Sequence, residues 1–268
     1  MTRLLAVVVL ALTSFAVHAD MDHAHAAWNS LLKKHVVLID GGKASQVRYA
    51  GFAQDRAALK GYLESLSNVT KAQFDSWTKR EQMAFLINAY NAYTVELILS
   101  KYPDLKSIRD LGNVVLNSPW KKKFFTLLGE PQHLDGIEHE TLRQPGVYDE
   151  PRIHFAVNCA SVGCPMLREE AYVADRLDAQ LEDQTRRFLA DRSRNRYEPG
   201  KGVLEVSSIF DWYKRDFTSG YQGVMSREQF FARYAALLAD RPADRERIDA
   251  GAAPLKFLDY DWRLNDVR

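Results

Sequence analysis

Apolar residues recur at helical spacing along most of the chain, and at the two-residue spacing of strands in only a few short stretches. Residues 20–36 put Ala24, Trp28, Leu31 and Leu32 on one face of an amphipathic helix, with His23 and His25 read as solvated residues of its frayed start. The segments VVLID and VRYAGF predict two strands about the turn GGKASQ. Helices follow over 55–67 and 70–78, the second with Thr70 as N-cap. The longest periodic stretch, residues 80–102, is apolar nearly all round and stops at Pro103, which predicts a helix buried on most faces. Within it Asn88 and Asn91, three positions apart, lie on one face. A buried amide left unpaired costs about 1–3 kcal/mol, so these two either tie neighbouring loops to the helix or line a pocket.

The middle of the chain is less regular. A strand at 124–128 and a short helix at 137–143 precede RIHFAV, whose alternation predicts a strand with Ile153, Phe155 and Val157 on one face and His154 on the other. Residues 173–193 form an amphipathic helix with Leu177, Leu181, Phe188 and Leu189 inward. NRYEPGKGVLEVS predicts a hairpin, IFDWYKRDF a helix capped by Ser207 or Ser208, and SREQFFARYAALLAD a helix capped by Ser226. LKFLDYDWRLN ends the chain as a strand running into a turn. These elements predict one helix-rich α+β domain over 20–268, with a small, mostly antiparallel sheet.

The first nineteen residues have a basic start at Arg3, an apolar run from Leu4 to Val17 and small residues before Ala19. This is the layout of a secretory signal, too short to span a bilayer, and it predicts a periplasmic or secreted mature chain with no membrane span. Without those residues acidic and basic side chains are equal in number, and a surface so balanced argues against a nucleic-acid partner. A small-molecule, peptide or cell-envelope ligand is the partner expected. No cofactor is implied.

The stretch HFAVNCASVGCP, residues 154–165, holds the chain's only two cysteines beside a histidine and an asparagine. Cys159 and Cys164 could form a disulfide in an oxidising compartment. Alternatively Cys159 is a nucleophilic thiol, which needs an imidazole to take its proton and a polar residue to orient that imidazole. His139 and His154 are the candidate bases, with Glu138, Asn88 or Asn91 as orienting groups. On a regular strand His154 would face away from Cys159, whereas His139 comes from a separate element. A zinc set of His139, His154, Cys159 and Cys164 lacks the usual short ligand pairing. The carboxylate pairs Asp259 with Asp261 and Asp135 with Glu138 carry no diagnostic spacing.

Several separated blocks resemble the family of domains of unknown function 547 (DUF547), from the long helix to the C-terminus. AFLINAYNAYT resembles its helix motif at Phe85, Asn88, Tyr90 and Asn91, and GIEHETLR its element at Ile137, His139, Leu142 and Arg143. EPRIHFAVNCASVGCPMLR matches at Arg152, His154, Asn158, Cys159, Ser161, Cys164 and Arg168, among others, and SSIFDWYKRDF and YDWRLN are similar to late elements. Leu86, Ala160 and Met166 depart from the family pattern conservatively. The resemblance implies a fold more than an activity, and its layout is loosely similar to papain-like or transglutaminase-like thiol enzymes. On these blocks Cys159 is the candidate nucleophile and His139 the base, with His154 or Asn88 orienting it or stabilising charge. Asn91, Asn158, Ser161 and Arg168 are the candidate binding residues. Two other functions stay open: a non-catalytic periplasmic binding module, and a zinc protein.

Overall fold

The computed structural model describes residues 20–112 and 118–267; the expected leader, residues 1–19, lies outside them. In chain order α1 (Ala26–His35), the hairpin β1 (Val36–Ile39) and β2 (Ala44–Val47), α2 (Tyr49–Gln54), α3 (Arg56–Ser67) and α4 (Lys71–Ser76) lead into α5 (Lys79–Leu99). Thr70 and Thr78 start α4 and α5 with reciprocal capping boxes to Gln73 and Glu81. Every residue from Gln82 to Val95 is buried, so α5 is the axis around which the N-terminal helices pack.

The hairpin β3 (Phe125–Leu127) and β4 (Glu130–Gln132) follows, then a helix at Gly136–Leu142 wound with five-residue steps: the Arg143 N–H donates to the Glu138 carbonyl at 3.0 Å. Such wide turns are rare and are frequent at functional sites. Next come α6 (Leu177–Ala190), β5 (Arg196–Glu198), β6 (Val203–Ser207), α7 (Ile209–Trp212), α8 (Arg227–Ala232), α9 (Ala235–Leu238), α10 (Pro242–Asp249) and β7 (Leu255–Leu258). β6 pairs antiparallel with β5 and parallel with β7. The result is a helix-rich α+β fold with three small sheets among the described residues. Among the described residues no helix is long and apolar enough to cross a membrane.

Three expectations are corrected, and one helix goes unforeseen. VRYAGF is not a strand, because Tyr49 and Phe52, three apart, bury together on the core and wind the chain into α2. RIHFAV is not a strand either: Pro151–Phe155 is a tight 3-10 helix with Pro151 at its first position and all five residues buried. His25 is not solvated; its Nδ1 lies 2.8 Å from the Tyr62 hydroxyl. α10, with Pro242 opening it, is a helix that the apolar spacing does not predict.

Two apolar clusters make up the interior. One surrounds α5, and the other is an aromatic group built on Phe155, Phe188, Phe210, Phe217, Phe230 and Phe231. The 3-10 helix joins them, Ile153 facing the first and Phe155 the second. A cavity of about 230 Å³ opens along this seam, lined by Tyr90 and Val157 from one cluster and Ile209 from the other.

Candidate active site

The loop that carries the cysteines is shaped by asparagines. Asn91, on α5, donates its amide to the Ala156 carbonyl at 3.0 Å and accepts from the Asn158 N–H at 2.8 Å. Asn158 in turn accepts from the Ala160 N–H at 3.0 Å and donates to the Pro165 carbonyl at 2.7 Å, which closes the loop on itself. Ala160 takes the left-handed conformation with φ 62°, a strain held by those bonds. The loop then docks on the C-terminal segment, Val162 and Gly163 donating to the carbonyls of Arg263 and Asp261 at 2.8 Å. A Cβ on Gly163 would lie 2.8 Å from the Asp261 nitrogen, so only glycine permits this approach.

Docking brings Tyr260 to the thiol: Cys159 Sγ and Tyr260 Oη are 3.1 Å apart. Both cysteines are free thiols. The Cys159 N–H donates to Cys164 Sγ at 3.1 Å, and Ser161 Oγ lies 3.8 Å from Cys159 Sγ. The hydrogen bond from Cys164, followed by those from Tyr260 and Ser161, lowers the Cys159 pKa below that of an ordinary thiol despite burial. Burial raises Cys164 well above the ordinary value, and the neighbouring Cys159 adds to the rise. The pair therefore divides into one acidic thiol and one that stays protonated.

The histidines are placed differently. His154 Nε2 lies 2.7 Å from Asp216 Oδ2, and the ring stacks on Tyr213 with centroids 3.8 Å apart. Burial alone would raise the Asp216 pKa, but hydrogen bonds from His154 and Arg143 hold its carboxyl well below the carboxylate range. An ionised Asp216 can only accept, so the His154 Nε2 carries the proton. Burial lowers the His154 pKa, Asp216 opposing, so the ring is neutral and its Nδ1 keeps a lone pair. That Nδ1 is buried without a hydrogen-bond partner, 3.8 Å from Glu138 Oε1.

His139 is the base expected from sequence, but its Nδ1 faces Arg143 Nη1 at 2.6 Å. Guanidinium only donates, so this nitrogen is occupied as an acceptor. Nε2 then bears the proton of the neutral ring, 3.7 Å from Asp135. His139 thus has no lone pair free for a thiol proton. Arg143 also holds Asp216 through Nε at 2.5 Å and Nη2 at 3.1 Å.

Cys159, Cys164, His139, His154, Glu138 and Asp135 all line the seam cavity, whose mouth carries Trp120, Trp212 and Trp262. Among the described residues Cys159 Sγ bonds to the Tyr260 and Ser161 hydroxyls and to the Cys164 thiol, with no imidazole among its partners. Asn88 does not line the cavity; its amide is committed to the backbone of Tyr172, at 2.8 and 3.0 Å. Arg168 also lies outside it, paired with Glu170 and Asp183. Asn91, Asn158 and Ser161 act on the site by shaping the cysteine loop. Among the described residues no group of three or more histidine, cysteine or acidic side chains could hold a metal ion, so the zinc set is not assembled. Tyr213, Asp216 and Tyr260 are site residues that sequence reasoning does not find. They stand within IFDWYKRDF and LKFLDYDWRLN, where no spacing or motif sets them apart from their neighbours.

The fold and site define a helix-rich α+β protein that gathers an acidic thiol, an aspartate-held histidine and two carboxylates in one aromatic-walled cavity. Residues 74–189 match the family described as protein of unknown function, DUF547, so this part of the chain carries a domain of that family. No curated protein and no solved structure matches it significantly. The match ends inside α6, so Tyr213, Asp216 and Tyr260 come from beyond it.

Proposed function

We propose that the protein is a thiol-dependent hydrolase or acyl transferase acting on a peptide, amide or cell-envelope substrate, exported by way of residues 1–19. The observation that carries this reading is Cys159, an acidified thiol, lining the same cavity as a neutral histidine whose Nδ1 is open. Hydrogen bonding supplies part of the thiolate, since thiol and tyrosine donors favour the charged sulfur. The thiolate attacks the acyl carbon and forms a thioester as the C–N or C–O bond of the substrate breaks. His154, fixed by Asp216, accepts the thiol proton at Nδ1 and returns it to the leaving group; water or a second acceptor then releases the acyl group. A distant kinship with papain-like or transglutaminase-like enzymes belongs to this proposal. α5 carries asparagines and no cysteine, so the thiol comes from the loop instead.

Alkylation of Cys159 by iodoacetamide across pH tests the reading. The half-maximal rate is expected below pH 9, moving upward in Tyr260→Phe as one donor is lost. An ordinary thiol profile, no change in the variant, or a Cys159–Cys164 disulfide in the purified protein would sink it. A non-catalytic binding module is the second reading, favoured by the absence of an imidazole bonded to the thiol and by the exposed Trp212 at the cavity mouth. A Cys159→Ala variant that folds yet loses its cellular phenotype counts against it.

A further inference from the structure

The cavity holds two carboxyl groups and an open imidazole nitrogen among aromatic, hydroxyl and thiol side chains. The buried Glu138 carboxylate and the His154 Nδ1 lone pair stand 3.8 Å apart with no protein donor bridging them. Tyr213 donates to Glu138 from one side, and no lysine or arginine is among the described residues that line the cavity. The guanidinium of Arg143 is committed to Asp216 and His139. Asp135 adds a second carboxylate, and the rings of Trp212, Tyr260 and Trp262 pack together with centroids 4.5–5.9 Å apart, Trp262 also carrying the Arg109 guanidinium 5.3 Å from its centroid. Two buried acceptors facing each other repel unless a donor lies between them, and aromatic faces attract cations.

We infer that this cavity binds a primary alkylammonium group, seated between Glu138 and His154 Nδ1 with its carbon chain against the aromatic mouth. An ammonium nitrogen has three N–H donors, enough for Glu138 and His154 Nδ1 at once. A quaternary ammonium lacks them, and an anion would face two carboxylates. The inference rests on the thiol-enzyme reading only in naming its substrate class: an acceptor amine, a lysine side chain or a small amine, that binds at His154 Nδ1 once that nitrogen has returned its proton to the leaving group.

The test is tryptophan fluorescence of the full chain, read from the mouth residues while titrating n-butylammonium, Nα-acetyl-lysine amide, tetramethylammonium and butyrate. Saturable binding of the primary ammonium ions is expected, at least tenfold tighter than tetramethylammonium or butyrate. Tighter binding of acetyl-lysine amide assigns the group to a peptide, and tighter binding of butylammonium to a free amine. Binding should weaken at least tenfold in Glu138→Gln and survive in Cys159→Ser. Survival there separates this inference from thiol chemistry, which alkylation alone judges. Should Glu138→Gln not fold, the ¹⁵N resonance of His154 Nδ1 in the wild-type protein answers the same question, since it must move as butylammonium binds. No saturable response to either primary ammonium, equal affinity in Glu138→Gln, or an unmoved Nδ1 resonance would overturn the inference.

Discussion

His154 is held by Asp216 through Nε2 at 2.7 Å, and its other ring nitrogen is left buried and open. The two come from the 3-10 helix at Pro151–Phe155 and from the segment after α7, far apart in sequence. Asp216→Asn removes the charge that both His154 and Arg143 need in a partly buried site. The expected loss is about 2–4 kcal/mol in urea unfolding. In the wild type, ¹⁵N spectra should show His154 with its proton on Nε2 and a pKa below 6.5.

Asn88 and Asn91 occupy one helix face but serve different loops. Alanine at either leaves a backbone N–H and a carbonyl unpaired in the interior, worth about 2–5 kcal/mol. Only Asn91→Ala should also alter Cys159 alkylation, because Asn91 holds the loop at Ala156 and Asn158. Equal effects on alkylation by the two variants would contradict this division.

Gly163→Ala places a methyl 2.8 Å from the Asp261 backbone nitrogen, so the backbone there must shift. A loss on the order of 2 kcal/mol is expected. Tyr260, next in the chain, should withdraw from Cys159, so the alkylation profile of this variant should move upward in pH. A thermal melt and one alkylation series measure both effects.

Acid should weaken the fold before ordinary carboxylates titrate. Burial, partly opposed by Asp22, lowers the His25 pKa from 6.5 to about 4. The unfolded chain therefore binds more protons across that window, and stability rises with pH there. The contribution is complete above about pH 6.5 and is lost as the pH falls toward 4, up to about 3 kcal/mol. His154, depressed in the same direction, adds to the loss. His25→Asn tolerates the left-handed φ of 49° and removes the titration, so its denaturation midpoint should vary less between pH 6.5 and 4 than the wild type's.

Much of the frame is legible in the residues. The 3.6-residue period locates α3, α4 and α5, with Thr70 marking the start of α4, because a helix is specified by contacts within a few residues of itself. The hairpin of β5 and β6 follows from PGKG by the same local logic. RIHFAV reads as a strand because alternation reports only that two faces differ. In the protein both are buried, Arg152 paired with Glu150 and Asp178, and periodicity has nothing left to measure.

The helical scaffold, the family and the loop that bears the thiol are each written in residues adjacent along the chain, and so are readable before any fold is known. Which histidine is open, which aspartate holds it and which tyrosine meets Cys159 are settled only when distant segments pack together. Those choices depend on hydrogen bonds of about 3 Å between segments as much as 101 positions apart. Arg143 closes His139 and Asp216 opens His154, and residue types alone cannot assign one partner to each.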